Sequence, residues 1–146
     1  VSLGIVHRDL ACRNVLLSDN FDAKLSDFGL SRIADSQANV VYSKSDVGPL
    51  KWMAPEALRS KKYSECSDVW SFGVTCVEIL TKGDDPYPQL DAVQVATAVV
   101  VEGAHPDIPT EPPHAPNAAL RHLIQSCFAF EPGERPTFEH IVTQLG

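Results

Sequence analysis

The stretch from residue 67 to residue 81, SDVWSFGVTCVEILT, constrains the fold of this chain more than any other. A helix through it would have almost no polar face. Its apolar residues are Val69, Trp70, Phe72, Val74, Cys76, Val77, Ile79 and Leu80. A helix that is apolar on all sides lies buried. We therefore expect this helix to be buried in the core, and we interpret Trp52 and Trp70 as packing residues.

Three further helices are predicted after the buried one. Residues 92 to 102 follow Asp91, which can cap a helix while Gln94 bonds back in a capping box, and Gly103 ends this helix. Residues 118 to 129 have apolar side chains at the spacing of one helical face, and the same spacing recurs in a fourth helix. The face residues are Leu120, Leu123, Ile124, Cys127 and Phe128 in the third helix, and Phe138, Ile141, Val142 and Leu145 in the fourth.

The chain before the buried helix has a different pattern. Residues 14 to 17 and 23 to 26 are short apolar stretches on either side of turn-forming residues 18 to 20, which predicts a small β-hairpin. From there to about Pro55 the sequence is polar and loop-like. A structureless segment of that length in a compact domain is either functional or a sign of a wrong assignment. The proline-rich residues 106 to 116 are interpreted as an ordered connector.

The composition of the 146 residues excludes several classes of function. The formal net charge of −7 argues against binding to a nucleic-acid backbone, because no basic cluster is longer than Lys61 and Lys62. No apolar run is long enough to cross a bilayer, so no membrane segment is predicted. The four cysteines are widely spaced and form no CxxC motif, which predicts neither a zinc site nor a disulfide framework and indicates reduced, intracellular thiols.

Three side chains with oxygen atoms flank the predicted hairpin. Asp9 and Asn14 stand before it and Asp27 follows it directly, so we expect the three to converge. Taken singly, each is more simply explained as a cap or a turn former. Taken together, they meet the needs of phosphoryl transfer, in which an acceptor hydroxyl is oriented and phosphate charge is neutralised by Mg²⁺ on oxygen ligands.

Three motifs occur in the order found in protein kinases: HRDLACRN at residues 7 to 14, DFG at 27 to 29 and MAPE at 53 to 56. The chain therefore resembles part of a protein kinase domain over essentially all of residues 1 to 146. The resemblance implies a mainly α fold, with the helices of the kinase C-lobe, a small β-hairpin next to the catalytic loop, and no N-terminal lobe. The implied divisions are a catalytic loop at 7 to 14, an activation segment at 27 to 56 and a helical subdomain at 67 to 145.

The resemblance also assigns roles to the residues of the first two motifs. Asp9 would accept the proton of the substrate hydroxyl, and Arg13 is counted with it as catalytic. Asn14 and Asp27 would bind ATP through Mg²⁺, so ATP and Mg²⁺ are the implied cofactors and a protein is the implied substrate. Arg8 would face a phosphate group on the activation segment.

Regulatory and structural residues follow from the same resemblance. Tyr42 is the only tyrosine in residues 30 to 53 and is a candidate phosphorylation site, whose phosphate could order the segment by pairing with the arginine of HRD. A solvated loop tyrosine is an equally simple interpretation. Glu56 and Arg135 would form a buried ion pair that anchors the activation segment. Asp68 would hydrogen-bond the backbone of the catalytic loop.

Two features favour the tyrosine-kinase branch. Ala11 stands where serine/threonine kinases usually carry a lysine, and KWMAPE follows Pro49. A tyrosine hydroxyl reaches further from its backbone than a serine hydroxyl, so the platform from Pro49 to Trp52 would hold the substrate chain further from Asp9. Gly48 instead resembles the serine/threonine pattern, so a serine/threonine kinase of the tyrosine-kinase-like group stays an alternative.

No motif in this sequence matches the Gly-rich loop that covers the ATP phosphates or the strand lysine that contacts them. We therefore expect this chain to belong to a longer kinase, either a receptor with this lobe inside the cell or a cytosolic enzyme, and to transfer no phosphate alone. A kinase-derived interaction module without catalysis is the other alternative. Such a module would have no chemical need for Asp9, Asn14 and Asp27 together.

Overall fold

The computed structural model describes residues 4–30, 32–33, 40–42 and 50–146, with side chains for 4–29 and 50–146. Within this part of the chain there are five α-helices, which confirms the predicted mainly α class. They are α1 (Pro55–Ser60), α2 (Glu65–Leu80), α3 (Ala92–Glu102), α4 (Ala118–Cys127) and α5 (Phe138–Leu145).

Six short strands in the described residues form three antiparallel pairs, β1–β4, β2–β3 and β5–β6. They are β1 (Ile5–Val6), β2 (Val15–Leu17), β3 (Ala23–Leu25), β4 (Arg32–Ile33), β5 (Val40–Tyr42) and β6 (Lys62–Ser64). The pair β2–β3 is the predicted hairpin, with Val15 opposite Leu25. The expectation of an irregular segment up to Pro55 is wrong at β4 and β5, because both strands find partners far away in the sequence.

The helix α2 lies between two apolar clusters, as its sequence predicts. Trp70, Val74 and Val77 belong to the larger cluster, while Val69 belongs to a smaller cluster with residues of α4 and α5. The helix begins after Ser64, which forms a reciprocal capping box with the third helical residue. The main exception to its burial is Ile79, which is 65% exposed.

The other predicted helices are present with small differences. The capping box of Asp91 and Gln94 and the left-handed Gly103 at the end of α3 are confirmed. Helix α4 ends at Cys127, two residues before its predicted end.

Two features of the helical part differ from the sequence prediction. In α5 only part of the predicted apolar face is covered, because Ile141 is buried whereas Val142 and Leu145 are exposed. Helix α1 was not predicted, since its six residues are too few to show a helical period. It begins with Pro55 in its first turn, a position that favours proline.

Candidate active site

The catalytic loop, residues 7–14, is attached to the first turn of α2 through Asp68. Oδ2 of Asp68 accepts the backbone N–H of His7 at 2.7 Å, and Oδ1 accepts that of Arg8 at 2.9 Å. Arg8 has a φ of 71°, a left-handed conformation that is uncommon for a residue other than glycine. The two hydrogen bonds hold the backbone in this conformation. Burial raises the pKa of Asp68, while the two amide hydrogen bonds act in the opposite direction.

Within the loop, three of the sequence-predicted residues form one bonded unit. The guanidinium of Arg13 donates to Oδ1 of Asp9, and the side-chain amide of Asn14 donates to the carbonyl oxygen of Asp9 at 2.7 Å. Arg13 and Asn14 lie in a short 3-10 turn that spans Cys12–Asn14. Both the carboxylate and the backbone of Asp9 are therefore oriented by neighbours in the same loop.

The segment that carries Asp27 lies against this loop. The backbone N–H and the hydroxyl of Ser26 both donate to the carbonyl oxygen of Asn14, at 2.8 Å and 3.0 Å. The ring of His7 donates from Nε2 to the carbonyl oxygen of Ser26 at 3.0 Å and meets the ring of Phe28 edge-on. Asp27 itself is exposed, with a φ of 58°. The structure thus brings the residues on either side of Asp27 to the catalytic loop.

The chemistry of Asn14 and Asp27 fits Mg²⁺. Because the amide nitrogen of Asn14 donates to Asp9, its carbonyl oxygen is the atom left for a cation. Asp27 adds an exposed carboxylate. Among the described residues there is no group of three or more His, Cys, Asp and Glu side chains that could hold a metal. In phosphoryl-transfer sites Mg²⁺ is usually held by one or two protein groups together with substrate phosphates and water.

A buried carboxylate that the sequence analysis did not single out, Glu78, joins two segments at the site. Its Oε2 accepts the backbone N–H of Cys12 at 3.0 Å and the indole N–H of Trp52 at 2.8 Å. Trp52 is therefore more than a packing residue, and its ring also lies 4.9 Å from the guanidinium of Arg13. The sequence does contain a signal for the role of Glu78, namely a glutamate in an otherwise apolar helix. A buried charge requires hydrogen-bond partners.

Cys12 lies in the loop that contains Asp9 and Asn14, and its thiol donates to the carbonyl oxygen of Thr75. Burial, together with the charge and the hydrogen bond of Glu78, raises the pKa of Cys12 to about 11. The thiol therefore stays protonated at neutral pH, and only the thiolate is an effective nucleophile.

Glu56 and Arg135 form a bidentate ion pair between α1 and the segment before α5. The two terminal nitrogens of the Arg135 guanidinium donate to the two carboxylate oxygens of Glu56, at 2.7 Å and 2.9 Å. The remaining donors of Arg135 reach the carbonyl oxygens of Cys66, Ala129 and Phe130. All five N–H groups of the guanidinium are thus satisfied, which is the arrangement that a buried charge requires.

Arg8 contacts strand β6, which pairs with the strand that contains Tyr42. Arg8 is 7% exposed, its guanidinium lies 4.1 Å from the ring of Tyr63, and among the described residues its Nε has no hydrogen-bond partner. Tyr63 is in β6, and the backbone of Tyr42 in β5 pairs with Lys62 of β6. The side chain of Tyr42 and the neighbouring residues 43–49, which include Pro49, lie outside the described part of the structure.

Comparison with known proteins finds relatives along almost the whole chain. The family model for protein tyrosine and serine/threonine kinases matches residues 2–145. Fibroblast growth factor receptor homolog 2 of Drosophila melanogaster is 42% identical over 139 residues, which are 94% of this chain and 13% of that protein. Myoblast growth factor receptor egl-15 of Caenorhabditis elegans is 47% identical over 143 residues, 97% of this chain and 13% of that protein. Megakaryocyte-associated tyrosine-protein kinase of Rattus norvegicus is 42% identical over 142 residues, 97% of this chain and 28% of that protein.

The chain therefore spans between 13% and 28% of the length of these three relatives. No helix in the described ranges is long and apolar enough to cross a membrane. The ordered motifs, the bonded catalytic loop and the match over residues 2–145 agree with one another. On these grounds the chain belongs to the family of protein tyrosine and serine/threonine kinases and, within it, to the tyrosine-kinase branch.

Proposed function

We propose that this chain carries the catalytic loop and the metal ligands of a protein-tyrosine kinase. The reaction transfers the γ-phosphoryl group of ATP to a tyrosine hydroxyl of a protein. The bond between the γ-phosphorus and its bridging oxygen breaks, a bond to the tyrosine oxygen forms, and ADP leaves. The observation that carries the proposal is the bonded unit of Asp9, Arg13 and Asn14, which lies beside the segment that contains Asp27.

In this proposal Asp9 accepts the proton of the tyrosine hydroxyl. Its side chain is 12% exposed, so it is reachable by substrate while Arg13 fixes its orientation. Asn14 fixes the backbone of Asp9 and, with Asp27, would hold Mg²⁺. The bound ion would neutralise the charge of the phosphate groups. The work of the protein is thus to place a proton acceptor and two oxygen ligands around one reacting centre.

Two observations support tyrosine as the acceptor. Ala11, which stands where serine/threonine kinases usually carry a lysine, is completely buried. Arg13 of the catalytic loop lies over the ring of Trp52, so the catalytic loop contacts the KWMAPE segment, the second sequence feature that favours the tyrosine branch. The name of the rat relative, a tyrosine-protein kinase, agrees with this assignment.

The assignment is tested with the full-length protein, ATP and Mg²⁺ on paired peptides that differ only in a tyrosine or a serine acceptor. We expect labelling of tyrosine, and exclusive labelling of serine would refute the tyrosine assignment. Asp9→Asn should lower kcat by about 10²- to 10⁴-fold, the usual contribution of a general base. Asp19→Asn, the same substitution at an exposed position of the hairpin turn, is the matched control.

We also propose that phosphorylation of Tyr42 regulates the enzyme. The pairing of β5 with β6 runs next to the buried cation of Arg8, which supports a role for that cation in binding the added phosphate. Tyr42→Phe in the full-length protein should abolish the rise in activity after preincubation with ATP. Unchanged activation of this variant would exclude the role of Tyr42.

Two expectations about the setting of the enzyme belong to the same proposal. The site would work inside the cell, where ATP and reduced thiols are present, as the widely spaced cysteines indicate. Residues 1–146 alone should transfer no phosphate, because they contain no motif for the loop and the lysine that hold ATP. An assay of this isolated chain with ATP and Mg²⁺ tests the second expectation, and any phosphotransfer would contradict it.

A further inference from the structure

We propose that Glu78 is a positioning residue for phosphoryl transfer, which couples the catalytic loop to the end of the activation segment. The inference rests on the proposed kinase function and concerns a residue that no motif of the sequence marks. Glu78 lies near the end of α2, and its side chain does not need to touch substrate in order to act. Its proposed effect passes through the residues that do.

The first support is that one oxygen of Glu78 binds two separate segments. Oε2 accepts the amide N–H of Cys12, 66 residues away in sequence, and the indole N–H of Trp52, 26 residues away. The residue is 8% exposed, so water competes little for these bonds. Both segments therefore take their position from a single atom on a rigid helix.

The second support is that both segments continue to the reacting groups. Cys12 opens the 3-10 turn that contains Asn14, whose amide bonds the backbone of Asp9. Trp52 places its ring against the guanidinium of Arg13, and Arg13 donates to the carboxylate of Asp9. Two short paths thus connect Glu78 to the proposed proton acceptor, one through the loop backbone and one through the indole ring.

The third support is the energetic character of the position. A buried carboxylate is unfavourable unless hydrogen bonds or a cation compensate it. In the part of the chain that the structure describes, no lysine or arginine forms an ion pair with Glu78, and its two donors come from the catalytic loop and the activation segment. The contacts that satisfy this charge are therefore the same contacts that position the site.

The test uses the full-length protein and separates kcat from KM. Glu78→Met keeps the size of the side chain but removes the acceptor, and we expect kcat to fall by roughly 10²-fold, the effect of misplacing a reacting group by about 1 Å. The KM for ATP should change far less. Glu78→Gln keeps a carbonyl oxygen for both donors and should retain most of the activity. Val77→Ala, a neighbouring core truncation in α2, should lower the melting temperature and leave kcat unchanged.

A second variant decides the question if Glu78→Met does not fold. Trp52→Phe removes the N–H donor and leaves a smaller aromatic ring beside Arg13, and we expect kcat to fall by roughly 10-fold, again with little change in the KM for ATP. Wild-type kcat in either folded variant would overturn the role of Glu78. Absence of phosphotransfer by the unaltered full-length protein would instead refute the proposed function itself, so the two failures are distinguishable.

Discussion

The catalytic region, residues 4–30, and the helical region, residues 50–146, are held in place by different interactions. In the catalytic region Leu17 is 62% and Phe21 82% exposed, whereas Trp70 and Ile124 of the helical region are completely buried. The catalytic loop itself buries two apolar side chains, those of Leu10 and Ala11. It is attached to α2 by hydrogen bonds to buried carboxylates, chiefly that of Asp68.

This difference indicates a division of labour. The helical region supplies most of the buried apolar surface, and with it the stability of the fold. Helix α2 belongs to this region, and its polar side chains fix the geometry of the catalytic loop. Stability and activity should therefore respond to different substitutions, and variants of the two regions can separate them.

Among substitutions of charged residues, the largest effect on stability is expected at the ion pair of the helical region. Arg135→Ala leaves Glu56 charged and buried without its partner, which should lower the free energy of unfolding by about 3–5 kcal/mol. Arg59→Ala, the same substitution at an exposed position of α1, should change it by less than about 0.5 kcal/mol. Thermal melting of the full-length variants measures both. Equal melting temperatures of Arg135→Ala and Arg59→Ala would show that the ion pair does not anchor this region.

A smaller loss is expected from overpacking the core. A Cβ atom at Gly73 would lie 2.9 Å from Cε1 of Phe128 and 3.0 Å from Cβ of Cys127. Gly73→Ala should therefore destabilise the protein by about 1–3 kcal/mol. Gly133→Ala is the control, since nothing lies within 4 Å of its added Cβ. Below the melting temperature kcat should be unchanged in both variants, and a selective loss of kcat in Gly73→Ala would break the proposed separation.

The smallest effect is expected in the hairpin. Phe21 is exposed and has a φ of 63°, a conformation that asparagine adopts more readily than phenylalanine. Phe21→Asn should be neutral or stabilise the protein by up to about 1 kcal/mol. Phe128→Asn, the same substitution in the core, should cost at least about 3–5 kcal/mol. If the two variants melt alike in the full-length protein, Phe21 is covered there and the two regions do not differ in the burial of their aromatic side chains.

Local patterns in the sequence predicted much of the fold. The burial of α2, the capping box of α3 and the hairpin follow from features within a few residues of one another, and all three are confirmed. The pairs β1–β4 and β5–β6 could not be predicted in this way, because their partners are brought together only by the tertiary structure. The exposure of Val142 likewise depends on which neighbours α5 meets and not on its own period.

The site was predictable to a lesser extent from the residues alone. Asp9, Asn14 and Asp27 stood out because they flank a hairpin, and the family resemblance added Asp68. Glu78 was missed, since the chemistry of a buried carboxylate depends on donors that lie 26 and 66 residues away. A polar residue in an apolar helix is a signal that some partner exists, but the partner is visible only in the fold.

The central claim, that polar groups of α2 fix the catalytic geometry, is tested most directly by the kcat of Asp68→Asn in the full-length protein. Asparagine has one acceptor oxygen, so one of the two amide groups of the catalytic loop would face an N–H donor in place of an oxygen. We expect kcat to fall by roughly 10²-fold in protein that is still folded at the assay temperature. Asp84→Asn, at an exposed position, should have wild-type kcat. A folded Asp68→Asn variant with wild-type kcat would contradict the account.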